Sequence, residues 1–212
     1  MQVLDLYCGQ GGAAAGYRQA GFDVTGVDLD PQARFPYPFH QADAIAWVRQ
    51  NLDMIRETFS LIHASPPCQH YSKAQRIQDR DHPDLVGPTR DVLDETSLPW
   101  VIENVEGSPL LNPIELCGAM FGLRTYRHRL FETGGGFTVA PPAHPRHTAP
   151  LRKMGRRPMD GDMIHAVGNF SGVAIVRDDW GVPWMNRNGI RESIPPAYTR
   201  YIGEQFSRSR GT

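Results

Sequence analysis

Cysteine is scarce in this chain: 3 among 212 residues, Cys8, Cys68 and Cys117. They are odd in number and far apart, which argues against a disulfide framework and fits reduced thiols in a cytosolic setting. No C-x-x-C pair accompanies them. His63, Cys68 and His70 lie close in sequence, yet no metal is expected without a paired ligand motif. No apolar run approaches the length of a membrane span, and no basic start leads into one. A soluble, cytoplasmic protein is the expectation. Internal repeats and long low-complexity tracts are also missing, and so is the G-x-G-x-x-G spacing of a dinucleotide fingerprint.

Charge is present but unevenly spread. The formal net charge is −1, yet residues 1–106 carry 15 acidic and 8 basic side chains, and residues 107–212 carry 8 acidic and 14 basic. A second half with a net of +6 suits an anionic partner, with nucleic acid leading, although a solvated surface explains such a run equally well.

Strand-like and helix-like stretches alternate through the first half. VLDLYC (3–8), FDVTGVDLD (22–30), FHQAD (39–43), FSLIHAS (59–65) and PWVIENV (99–105) read as strands. Residues 13–20 and 42–58 read as helices, and Thr89 as the cap of a helix reaching residue 97. The alternation predicts an α/β fold, a mostly parallel sheet with helices on both faces. Ligands in such sheets sit beyond the carboxyl ends of the strands, where Asp5–Gly12, Asp28, Asp43, Cys68 and Glu103 all fall. After about residue 130, Gly134–Gly136, Pro141, Pro142, Pro145 and Pro150 break the chain repeatedly, and residues 167–176 read as a short strand or hairpin.

In DLYCGQGGAAAG, glycines 9, 11 and 12 stand where strand gives way to helix, so backbone can turn tightly and approach a ligand. Asp28 then ends the second strand, placed for ribose hydroxyls, and Asp43 ends the third, placed for a base amino group. A nucleoside without pyrophosphate, such as S-adenosyl-L-methionine, fits this turn better than a dinucleotide does. Cys68 follows two prolines that fix its position, with Lys73 and Arg76 nearby to favour a thiolate. Glu103 ends a neighbouring strand, and Asn104 can hold the proline loop through its amide. His63 reads as a satisfied core histidine, and Cys8 and Cys117 as small buried apolar residues.

These motifs resemble the DNA cytosine carbon-5 methyltransferase family. DLYCGQGGAAAGYRQAGF resembles its first cofactor motif, SPPCQ (65–69) its nucleophile motif, IENV (102–105) its glutamate motif and YRHRLFET (126–133) its arginine motif. IPPAYTRYIGEQF (194–206) is similar to its closing segment, which returns beside the cofactor site. The resemblance implies a Rossmann-like S-adenosylmethionine-dependent methyltransferase fold with a small target-recognition lobe. It implies that Cys68 attacks carbon 6 of a flipped cytosine, that Glu103 stabilises the activated ring, and that Arg127 and then Arg129 hold the base carbonyl or phosphate. Cofactor contacts would come from Asp5, Tyr7, Gly9, Gly11, Gly12, Asp28, Leu29, Asp43 and Pro66. Double-stranded DNA is the implied partner, with residues 69–88 as a loop closing over the base, in a bacterial or phage-infected cell.

The organisation expected is 1–133 for cofactor and catalysis, 134–183 for a reduced recognition lobe and 184–212 for the closing segment. So small a lobe implies a short or relaxed target, read by His147, Arg152, Lys153, Arg156 and Arg157, or surface supplied by a homodimer or another recognition partner. Thr125 and Glu204 depart from the family's usual glutamine and asparagine. Two other readings stay open: cytosine C5 methylation of RNA such as tRNA by the same chemistry, and a catalytically silent nucleic-acid-binding protein. A nicotinamide oxidoreductase rests on the glycine turn alone.

Overall fold

The structure is a computed structural model and describes residues 1–67, 84–152 and 155–211. Five strands run parallel: β1 (Gln2–Leu6), β2 (Asp23–Asp28), β3 (Phe39–Gln41), β4 (Leu61–Ala64) and β5 (Trp100–Asn104). Two more, β6 (Ile114–Leu116) and β7 (Arg129–Gly134), complete a seven-stranded sheet in the order β3-β2-β1-β4-β5-β7-β6, β7 being antiparallel to both neighbours. The order reverses between β1 and β4, the position where a crevice opens beyond the strand ends.

The helices are α1 (Gly12–Gln19), α2 (Ala44–Gln50), α3 (Leu52–Thr58), α4 (Val86–Thr96), α5 (Val173–Trp180), α6 (Arg187–Glu192) and α7 (Pro196–Ser209). Strand alternation sorts the core into two layers. Val3, Leu61 and Val101 pack with Ala14, Tyr17, Tyr198, Ile202 and Phe206 of α1 and α7. Their neighbours Leu4, Ile62 and Ile102 pack with Val48, Ile55 and Leu93 of α2, α3 and α4. A buried fork joins α4 to the antiparallel edge: Arg90 Nε and Nη2 donate to Glu132 Oε1 and Oε2 at 2.6 and 2.7 Å.

Three local expectations are corrected. The helix expected over 42–58 is two helices, broken at Asn51, whose backbone leaves the helical region and whose side chain donates to the Trp47 carbonyl. Thr89 is interior to α4 rather than its cap; the helix starts three residues earlier, where Asp84 Oδ1 accepts the Val86 N–H. Pro88 is tolerated because it lies in the first turn, where the ring meets no preceding helical carbonyl. Residues 173–176, expected in a strand, open α5, because Gly172 at φ 89° turns the chain and Val176 and Trp180 form a one-sided apolar face.

That face belongs to a third cluster with Ile164, Phe170, Met185 and Ile190, seated on Ala15 of α1. The cluster takes in Ile190 of α6 as well as Ile164. Beside it β8 (Leu151–Arg152) pairs with β9 (Met163–Ile164).

The close approach of α7 to α1 explains two glycines. A methyl group on Gly16 would overlap the Pro196 carbonyl and the Thr199 hydroxyl, and one on Gly12 would overlap Ser193 and the Ile194 carbonyl. Thr199 Oγ1 donates to the Ala13 carbonyl at 2.8 Å across the same contact. Gly16→Ala is therefore expected to destabilise the fold by ~1–3 kcal/mol, the usual cost of overpacking, measured as a lower denaturant midpoint at unchanged m-value.

Candidate active site

Asp5, His63 and Glu103 lie on the sheet face covered by α1 and α7. Asp5 is paired with His63 across β1 and β4, and His63 with Val101, two residues before Glu103 on β5. All three are buried. A pocket at the carboxyl ends of these strands is lined by Asp5, Tyr7, Gly9, Ser65 and Glu103 on one side, and by Glu192, Ser193 and Ile194 on the other. The structure thus brings the first turn, the β4 end, the glutamate and the start of the closing segment to one place.

The two carboxyls sit in different surroundings. Both Asp5 oxygens are buried and have no hydrogen-bond partner. Burial raises the Asp5 pKa well above the usual carboxylate value, with the Ala14 amide opposing. The nearby Asp28 and Glu103 charges push in the same direction as burial. Glu103 is also pushed up by burial, with Arg129, Arg127 and the Ser65 hydroxyl opposing. Arg129 Nε lies 3.0 Å from Glu103 Oε1. Register explains the pair: Phe131 of β7 lies opposite Glu103, and Arg129, two residues away, shares that face.

His63 is satisfied at both ring nitrogens, Nδ1 facing the Tyr17 hydroxyl at 3.1 Å and Nε2 the Ser65 hydroxyl at 3.0 Å. Burial pushes its pKa down to about 3, so the imidazole is neutral. A neutral ring can run a single line of donors, Tyr17 to His63 to Ser65 to Glu103. Ser65 is a site residue that motif reading passed over, although it opens SPPCQ.

The remaining candidates are placed as follows. Tyr7 holds a left-handed conformation at φ 59° and its hydroxyl meets Thr89 Oγ1 at 2.9 Å. Gly9 and Gly11 have φ of 50° and 87°, which glycine alone adopts without strain. Gly12 serves the contact with Ser193 and Ile194. Asp28 Oδ2 accepts the Gly9 N–H at 2.9 Å, which ties the first turn to the end of β2, and Leu29 beyond it is exposed. Asp43 Oδ1 accepts the Ala46 N–H at 2.8 Å and caps α2. Asn104 Nδ2 donates to the Pro66 carbonyl at 3.0 Å, the support expected of it. Cys68, the expected nucleophile, lies outside the described residues, as do His70, Lys73, Arg76, Arg80 and Lys153.

The two arginines have different partners. Arg127, placed first from the sequence, is buried, and its Nη1 and Nη2 donate to the Ala166 and Arg191 carbonyls at 2.8 and 2.6 Å. Its guanidinium braces the lobe, whereas Arg129 is the one against Glu103. In the lobe, Arg146, Arg156 and Arg157 are exposed, while Arg152 is held by Asp162, Nε to Oδ2 at 2.5 Å.

The parallel sheet, the switch-point pocket and the acid-lined rim define an α/β protein built to take a cationic nucleoside beyond its strand ends. The chain belongs to the family described as C-5 cytosine-specific DNA methylase, whose sequence profile matches residues 1–108. It is 35% identical over 121 residues to Type II methyltransferase M.HgiGI of Herpetosiphon aurantiacus, covering 52% of this chain and 94% of that protein. Over 136 residues it is 29% identical to M.HgiDI of the same organism, covering 59% of this chain and 44% of the relative. A solved structure of a candidate DNA modification methyltransferase from an E. coli prophage aligns at TM-score 0.48 and 25% identity, over 62% of this chain and 45% of that one. The chain thus spans less than half of two of these proteins.

S-adenosylmethionine is the cofactor of this family, and the residues present fit it. The unpartnered Asp5 carboxylate, with Glu103 and Glu192 on the same pocket, suits a ligand bearing sulfonium and ammonium charges. Asp28 at the end of β2 suits ribose hydroxyls.

Without ligand, the folded chain holds the Asp5 proton to higher pH than the unfolded chain does. The stability this gives is complete below the ordinary aspartate value and is lost as pH rises through the raised one. Asp5→Asn should therefore flatten the fall in Tm as pH rises above about 4, leaving the smaller Glu103 contribution, and should weaken S-adenosylmethionine binding by at least about tenfold. Calorimetry across pH and a binding titration measure the two effects; wild-type behaviour in both would remove Asp5 from the site.

Proposed function

We propose that this chain transfers a methyl group from S-adenosylmethionine to carbon 5 of a cytosine in double-stranded DNA, through a covalent bond to Cys68. The observation that carries the reading is the buried Glu103 carboxyl, kept protonatable by burial, on the strand next to the one that leads into Ser65-Pro66-Pro67-Cys68.

Cytosine carbon 5 is a weak nucleophile while the ring is conjugated. Addition of the Cys68 sulfur to carbon 6 breaks that conjugation. Glu103, hydrogen-bonded to ring nitrogen 3 or giving it a proton, takes up the charge that would otherwise develop there. Carbon 5 then carries the electron pair that accepts a methyl group. Loss of the carbon-5 proton and departure of the sulfur restore the aromatic ring. When bound, S-adenosylmethionine supplies an electrophilic methyl on a sulfonium. The target atom is unreachable inside a stacked duplex, so the base must be flipped into the pocket.

Arg129 supports the chemistry by orienting Glu103 and limiting its pKa rise. The lobe's exposed Arg146, Arg156 and Arg157 suit phosphate contacts, which fix position without reading sequence. A homodimer or recognition partner would enlarge this small surface. The named relatives are type II methyltransferases, and a restriction-modification role in the cytoplasm of a bacterial or phage-infected cell follows from that likeness. None of the described helices is long and apolar enough to cross a membrane.

Trapping with 5-fluorocytosine tests the reading, because fluorine at carbon 5 cannot leave as a proton does. With S-adenosylmethionine, duplex DNA should become covalently linked to the wild-type chain and not to Cys68→Ser. Linkage to tRNA in place of DNA would move the assignment to RNA. No adduct with either polymer would overturn it. Glu103→Gln should lower kcat at neutral pH by at least about 100-fold, with cofactor affinity changed far less.

A further inference from the structure

Four side chains that the catalytic reading leaves unused converge behind the arginine motif. Cys117 follows β6, His128 sits between Arg127 and Arg129, and His144 and His147 lie in the proline-rich stretch. Their ligand atoms (the Cys117 Sγ and one nitrogen of each ring) all lie within 4.8 Å of one another. Cys117 Sγ and His147 Nε2 are 3.3 Å apart, and His128 Nε2 and His144 Nε2 are 3.2 Å apart. We propose that these four residues form a structural zinc site that fastens residues 137–150 to the edge of the catalytic sheet.

Two of the distances are those of a tetrahedron. Zinc–nitrogen and zinc–sulfur bonds place neighbouring ligand atoms about 3.3–3.6 Å apart. The two short pairs already match, and the wider separations need to close by up to about 1.5 Å. One thiolate with three imidazoles is a closed, borderline-soft donor set, which favours zinc over magnesium or calcium.

One ligand is already fixed in the required form. His144 Nδ1 lies 2.8 Å from the Pro145 carbonyl, which can only accept, so Nδ1 carries the proton. In the neutral ring the lone pair is then on Nε2, the atom aimed into the cluster. An outer hydrogen bond that sets the tautomer is the usual support of a zinc-bound histidine. The Tyr126 ring lies flat on His147 at 3.7 Å between centroids, and its hydroxyl donates to the Ala149 carbonyl at 2.8 Å. Glu115 Oε1, 3.9 Å from His128 Nε2, adds a negative charge at the margin.

The segment needs such a fastening. Residues 137–148 form neither helix nor strand, and four prolines remove backbone donors from residues 141–150. A coil of this kind has little ladder bonding with which to offset its ordering entropy. Metal bonds supply that energy in small domains elsewhere.

The test uses the full chain without a histidine tag. After zinc reconstitution and desalting, mass spectrometry for metals should find about one zinc per chain. The cobalt-substituted chain should show the intense visible bands of a tetrahedral site and a thiolate-to-cobalt charge-transfer band, the latter lost in Cys117→Ser. His144 and His147 are exposed, so the double variant His144→Ala with His147→Ala keeps the fold, checked by circular dichroism. It should hold less than ~0.1 zinc. A wild-type chain that retains no metal leaves only stacked rings and ordinary hydrogen bonds, and overturns the proposal. So does a double variant that keeps its zinc, since the metal then sits elsewhere. Both results are independent of methyl transfer.

Discussion

A carboxyl group taken out of water must be neutralised, paired or left protonated. The face of the sheet under α1 and α7 does this with two acids and little compensation. The Asp5 oxygens lack a well-formed hydrogen bond, and His63 beside them is neutral because it too is buried. Glu103 has Arg129 at 3.0 Å, yet burial still outweighs that attraction. The consequences diverge. In the proposed reaction the first acid meets a cationic ligand, and the second keeps a proton available near a reacting ring. One desolvated surface would thereby serve both halves of a methyl transfer, with strand register spacing them.

That surface stays dry because α7 lies almost in contact with α1. Gly12 and Gly16 remove the side chains that would hold the two apart, and Ser193 and Ile194 close the pocket from the far end of the chain. Gly9, Gly11 and the strained Tyr7 bend the backbone sharply enough for both jobs. The glycine-rich turn is therefore a packing device as much as a ligand cradle. Glycine frequency alone does not separate these uses; the direction of each missing Cβ does.

The sequence discloses the parallel strands well, since the apolar runs of β1, β2 and β5 close at or near an acid, Asp5, Asp28 and Glu103. It discloses Glu103 because IENV closes such a run. Less visible is anything set by the antiparallel edge. The contact of Arg129 with Glu103 follows only once β7 is placed antiparallel to β5, a register that local pattern does not contain. Arg90 and Glu132 pair across 42 positions for the same reason. The helix break at Asn51 turns on one hydrogen bond to the Trp47 carbonyl, which periodicity cannot register. Residues 173–176 favour a strand by composition, and the left-handed Gly172 together with burial of Val176 and Trp180 overrides that preference.

The two arginines also show how a small lobe is coupled to the chemistry. Arg127 holds the carbonyls of Ala166 and Arg191, on either side of the lobe's apolar cluster, while Arg129 holds Glu103. Tyr198 of α7 donates its hydroxyl to the Arg127 carbonyl at 2.7 Å, so the closing helix grips the same turn. Lobe, closing helix and catalytic acid thus meet within three residues of chain, with His128 in the middle. In the proposed reaction, a shift of the lobe on binding nucleic acid would pass through the backbone that carries Arg129 and change its distance to Glu103. Fixing the coil beside His128, as the proposed zinc site would, narrows the range of that backbone. Glu103 would then be held in position before any base arrives, which is where preorganisation lowers a barrier most.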